Sequence, residues 1–252
     1  MKATPTIPPR TAFVLAAYVL LILAFAPAQY FGRQQDDVFY VIGARALAMG
    51  RYCQLTTPGC PPLTMINPAW PAMLAPLAWL TELTGPFQAV SALVLAAVPL
   101  AIWAWLRRRT TETLALLAAG LFASSPLVLI QSGAVMSEAP FTLALIAMIA
   151  ASEAGRALPA GIAGALLLLT RTAGVAAIPA LAIPFLAQRK LRNIALAGLP
   201  PILALGSWSL WSWSKIHTVD KFSMFSLTYG ANPLAKLARV AMANAHYYTT
   251  EL

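Results

Sequence analysis

The sequence predicts an all-α polytopic membrane protein with a bundle of about seven transmembrane helices and interfacial helices in its first outer loop. Three observations predict it. The mean hydropathy is +0.72 and only 10% of the 252 residues are charged, a composition foreign to soluble domains. Uncharged apolar stretches recur, each close to the roughly 20 residues a helix needs to cross a bilayer. Basic residues gather in short loops that fall on one side of those stretches.

The clearest stretches are residues 11–29, 83–106, 113–131 and 193–214. Two further apolar runs cover 139–152 and 157–188, the second interrupted by Arg171. As one span the run 157–188 is too long. An arginine costs far less at the surface than in mid-bilayer, so the run is expected to divide at Arg171. The total is then seven.

The net charge of +9 is placed for a membrane and not for nucleic acid. Arg107, Arg108, Arg109, Arg156, Arg189, Lys190 and Arg192 share one side with Lys2 and Arg10. That side is therefore cytoplasmic, together with the N-terminus. Arg33, Arg45 and Arg51, and Lys215, Lys221, Lys236 and Arg239, lie on the other side in longer segments that count less towards orientation. No aromatic-interleaved basic patch accompanies them. The first apolar run is too long for a cleavable signal.

The outer loop, residues 30–82, carries the chemistry. Asp36 and Asp37 stand side by side where only 8 acids occur in the whole chain. Adjacent carboxylates at a low-dielectric boundary are one way to make a proton acceptor; the plainer reading is that Asp37 caps a helix starting at Val38. Residues 38–50 read as an amphipathic helix along the membrane surface, with Val38, Val41, Ile42, Leu47 and Met49 apolar and Arg45 among them. Pro58, Gly59, Pro61 and Pro62 mark a loop. It holds Cys53 and Cys60, the only cysteines. On an oxidising face they are reasonable disulfide partners, with two free thiols as the alternative. Residues 67–77 are apolar but carry three prolines, which disfavours a regular span and favours a second interfacial element.

These stretches together resemble a family. The run Asp36-Asp37-Val38-Phe39-Tyr40 after Gln35, followed by Ala44, Leu47, Ala48 and Gly50-Arg51-Tyr52, looks like the first outer loop of GT-C fold membrane glycosyltransferases. The protein O-mannosyltransferase and aminoarabinose-transferase type enzymes are the nearer likeness. Asn67-Pro68-Ala69-Trp70-Pro71-Ala72 resembles their second surface element. Ser125-Pro126 and Met136-Ser137-Glu138-Ala139-Pro140-Phe141 resemble their second outer loop, and Leu169-Thr170-Arg171 the outer end of their fifth helix. The likeness covers nearly the whole chain in order, through short motifs.

The resemblance implies a GT-C-like module over residues 1–213 and an outer segment over 214–252, expected to stop short of further helices. It implies transfer of a sugar from a polyprenyl-phosphate donor to a glycan, lipid or protein acceptor, with inversion, on the outer face of a bacterial inner membrane. Asp36 or Asp37 would take the acceptor's proton. Arg171, with Arg45 and Arg51 as lesser candidates, would meet the leaving phosphate; Arg171 could equally snorkel to lipid headgroups. Glu138 would hold the acceptor, a divalent cation (Mg or Mn) or a basic partner, or simply favour the positive end of its helix. Trp208, Trp211 and Trp213 read as an interfacial belt, and His217 and His246 as surface residues. Two other classes stay open. A lipid-linked sugar transporter or flippase would show inverted repeats and mid-depth charges, which the sequence lacks. A non-catalytic membrane assembly partner is the other.

Overall fold

The computed structural model describes residues 7–28, 31–34, 36–187, 190–215 and 242. The expected outer segment 214–252, with His217 and His246, therefore lies almost wholly outside the described residues, as does Gln35. The chain divides into two compact units, Met1–Trp208 and Ser209–Leu252. The elements from Pro9 to Lys215 all begin within the first.

All regular structure among the described residues is helical. Helix α1 (Pro9–Phe25) starts on a proline, whose missing N–H is one that no helix could satisfy there. After it come α2 (Asp36–Ala48), α3 (Ala69–Ala78), α4 (Gly85–Leu106), α5 (Glu112–Ala123) and α6 (Pro126–Gln131). The chain continues through α7 (Glu138–Glu153), α8 (Ala157–Thr170), a 3-10 turn (Thr172–Ala177), α9 (Ile178–Ala187) and α10 (Leu191–Lys215).

Helices α4 and α7 are central. On one side α1, α4, α5 and α7 share a core around Ile22, Val98, Ala123 and Ala139. On the other, α7, α8 and α9 enclose Met148, Leu167 and Phe185, with Ala197 of α10 completing the cluster. The helices approach closely because the inward residues are small: Ala115, Ala119, Ala123 and Ala160 are fully buried, while Leu20, Leu121, Leu199 and Ile202 face outward. Gly161 shows the limit. A Cβ there would lie 2.6 Å from the carbonyl oxygen of Ala197, closer than any real contact.

Two helices, α4 and α10, are long and apolar enough to cross a membrane. The other apolar helices are shorter, so the expected set of seven full-length spans is not what the backbone forms. The run 113–131 breaks between α5 and α6. Ser125 takes an extended conformation ahead of Pro126, as a residue before proline tends to do. The 12 residues of α5 rise only about 18 Å. At Arg171 the chain turns extended and closes α8, so the run 157–188 does divide there.

The segment between α1 and α4 forms its own layer. Helix α2 begins two residues earlier than expected, at Asp36, so Asp37 sits inside the first turn and not at a cap. Nor does α2 lie open along a surface: Tyr40, Val41 and Ala44 are buried, packed with Trp70 and Leu74 of α3 and Phe87 of α4. Gly43 permits this, since a Cβ would press on Pro71 and Tyr52 at 3.2 Å. Residues 67–77, expected as a second surface element, supply α3; Pro71 is in its first turn and Pro76 inside it.

Between α2 and α3 a disulfide joins Cys53 to Cys60. The Gln54 N–H donates to Pro61 O (2.8 Å) and the Leu63 N–H to Tyr52 O (3.2 Å). Tyr52 Oη donates to Ile66 O (2.8 Å). Asn67 Nδ2 donates to Leu168 O (2.7 Å), fastening the loop to the end of α8.

Candidate functional site

Three segments distant in sequence meet at the end of the bundle that carries α2. The first turn of α2 supplies Asp36 and, four residues on and so on the same helix face, Tyr40. The loop before α3 supplies Met65, Ile66 and Asn67. The end of α8 supplies Thr170, Arg171 and Thr172. Together they line a cavity of about 120 Å³.

Arg171 leaves the helix in extended conformation, which frees its side chain to reach the start of α7. There Arg171 Nη1 donates to Glu138 Oε1 in an ion pair and lies 3.5 Å from Ser137 Oγ. Ser137 is fully buried, and its Oγ shares a 2.7 Å hydrogen bond with Tyr40 Oη. The result is a chain of contacts, Tyr40–Ser137–Arg171–Glu138, that spans α2, α7 and α8. Burial pushes the Tyr40 phenol above its ordinary value, against the opposing pull of the Ser137 hydrogen bond and the Arg171 charge; Glu138 and Asp36 add to the rise. Tyr40 is therefore a neutral hydroxyl throughout the physiological range.

The acid pair separates. Asp36 is exposed and lines the cavity. Asp37 is fully buried; its Oδ2 accepts from the Gly32 N–H at 2.9 Å, while Oδ1 has no hydrogen-bond partner among the described residues. The reason is helical geometry, since successive side chains leave a helix about 100° apart. The two carboxylates do not converge on one site. Asp36 is the acid that faces the cavity, and Asp37 holds the turn that precedes α2.

Of the expected cations only Arg171 reaches the cavity. Arg45 turns the other way, donating to Glu82 O and lying 5.9 Å from the centre of the Phe87 ring. Arg51 is exposed beyond the end of α2 and is not among the lining residues. Glu138 stands behind Arg171 and does not itself line the cavity. Trp208, one of the expected belt, meets the Tyr52 ring edge-on at 5.9 Å.

Tyr40, Ser137, Asn67 and Thr170 all sit within the motifs that resemble GT-C enzymes, beside the residues selected from them. The signal for Tyr40 is its i+4 spacing from Asp36. For Ser137 and Asn67 nothing in the local sequence separates a site residue from a flanking one. No group of three His, Cys, Asp or Glu residues able to hold a metal forms among the described residues, and Oε1 of Glu138 is already committed to Arg171.

No family model, no curated protein and no solved structure matches the chain.

Proposed function

We propose that this protein is a membrane glycosyltransferase that moves a sugar from a polyprenyl-phosphate donor to a hydroxyl acceptor, with inversion, at the outer face of a bacterial inner membrane. One observation carries the reading: an accessible carboxylate, Asp36, and a guanidinium, Arg171, line the same small cavity. The resemblance of the outer-loop motifs to GT-C enzymes supports it. So do the small inward and large outward apolar residues, which suit a lipid surround. In this reading the shorter apolar helices join α4 and α10 in the membrane, with the N-terminus cytoplasmic.

The chemistry needs two groups on opposite sides of the anomeric carbon. The acceptor hydroxyl loses its proton to the Asp36 carboxylate as its oxygen bonds to that carbon. The bond from the carbon to the lipid phosphate breaks, and the phosphate leaves with the electron pair. Arg171 meets that growing charge through paired N–H donors. Glu138 and Ser137 fix the guanidinium before substrate arrives, so little reorganisation is left for the reaction. Tyr40 ties the helix bearing Asp36 to the same network.

The test is transfer from polyprenyl-phosphate sugar donors in membranes, with expression of each variant checked. Asp36→Asn should lower turnover by about 10²–10⁴-fold, the usual range for a general base. Arg171→Ala should both weaken donor binding and slow turnover, and Glu138→Gln should fall between the two. Asp37→Asn should lower the amount of folded protein more than the turnover of what folds. Near-normal transfer by Asp36→Asn across several donors would sink the proposal.

A further inference from the structure

A second, larger cavity adjoins the first, and Arg171 is not among its lining residues. It measures about 290 Å³ and shares Asp36, Met65 and Ile66 with the Arg171 cavity. Phe39, Pro62 and Leu63 extend its apolar wall, and Gln54 and Thr64 are its uncharged polar groups. Among the described lining residues Asp36 is the one charge. Phe39 lies three residues beyond Asp36 and so shares its helix face. Met65 is 68% exposed and forms an open edge.

We infer that this second cavity is the acceptor subsite, and that it takes an uncharged, hydroxyl-bearing amphiphile, chemically the sugar end of a neutral glycolipid; this rests on the glycosyltransferase reading. A general base must touch the acceptor hydroxyl and face the donor carbon at once. Asp36 is the charged residue common to both cavities. The guanidinium side takes the anionic donor, which leaves the other side for the acceptor. An anionic acceptor would meet the like charge of Asp36, with no cation among the described residues of that lining to offset it. The volume, at the small end for ligand pockets, suits a single head group. The mostly apolar wall accepts an alkyl segment or the apolar side of a sugar ring. It offers little to a peptide, whose N–H and C=O groups would be buried without partners.

The full chain in nanodiscs of neutral phosphatidylcholine, labelled with ¹³C at the methionine methyls, tests this. Hexyl β-D-glucoside should shift the Met65 methyl saturably, while the fully buried Met148 stays unmoved; Met65→Leu identifies the resonance. Thr64→Trp, which fills the cavity, should raise the half-saturation concentration about tenfold or more. Hexyl sulfate should bind at least about tenfold more weakly than the glucoside, and Asp36→Asn should narrow that gap. An unmoved Met65, equal binding of hexyl sulfate, or preference for a neutral serine tripeptide amide would overturn the inference. Donor consumption in membranes reads the parent proposal separately. Intact consumption without glucoside binding sinks the acceptor subsite alone. Glucoside binding without any consumption by the wild type sinks the acceptor role and the transferase reading together.

Discussion

Tyr40 is buried and Tyr52 partly so, and each phenol is held above its ordinary value of 10.0 chiefly by burial. Their neutral forms are part of the fold. In the unfolded chain both phenols release their protons near pH 10.0, whereas in the folded protein they keep them to higher pH. The stability they contribute is therefore complete below pH 10.0 and falls as the pH rises above it. Ultraviolet absorbance titration of the phenolates should show both phenols ionising late, together with loss of helical circular dichroism. In Tyr52→Phe the late step should shrink; if the early, reversible step shrinks instead, Tyr52 is a solvent-accessible phenol. The same burial argument separates Asp36 from Asp37. One residue of rotation carries a carboxylate from the cavity wall to the interior, and only contacts made by α3, α4 and the loop decide which acid goes where.

At the scale of elements, close approach and loop closure do the positioning. Helix α8 presents Gly161 to the backbone of α10, and Gly161→Leu would force them apart. The expected cost is about 1–3 kcal/mol, as for other overpacked interfaces. Gly206, with nothing within 4 Å of a built Cβ, is the control: Gly206→Ala should be neutral or stabilising by up to about 1 kcal/mol. Reversible unfolding in mixed detergent micelles checks both, and equal effects would mean that the α8–α10 contact carries no weight. The disulfide loop forms a wall of the larger cavity. Closing so short a loop should contribute about 2–3 kcal/mol of local order. Hydrogen exchange in residues 52–66 should therefore quicken in Cys53→Ser while α4 and α7 keep their protection. Unchanged exchange in that loop would show that the Tyr52, Gln54 and Asn67 hydrogen bonds suffice alone.

Over the whole molecule the two ends of the bundle carry different chemistry. The cavities lie at the α2 end. At the other, Arg107 stacks 4.2 Å from the centre of the Trp103 ring and Arg109 4.7 Å from that of Trp105. Trp103 Nε1 donates to Glu112 (2.9 Å), and Arg109 pairs with Glu153. Tryptophan and arginine at one level suit a membrane–water boundary. Arg108 remains exposed. A cysteine at residue 108 should therefore resist an impermeant thiol reagent in intact cells and react once the membrane is opened. A cysteine at residue 51 should react in both. Labelling of residue 108 in intact cells would invert the topology and put the cavities on the wrong face for a lipid-linked donor.

The helical class, the short proline-bearing element at residues 69–78 and the division at Arg171 are legible in the sequence because each follows from local properties: hydropathy, proline's missing N–H, and the cost of placing a charge. The cysteine pair is legible as a candidate because only two are present. The motifs also single out Asp36, Glu138 and Arg171 individually. Tertiary structure decides what these residues can do together. It turns Arg45 onto Phe87 and Glu82, and buries Asp37 while leaving Asp36 at the junction of two cavities. It also brings Tyr40 to Ser137, 97 residues away. Such outcomes depend on which helix faces meet at Gly43, Gly161 and the end of α8. Those contacts are long-range, and local periodicity holds no record of them.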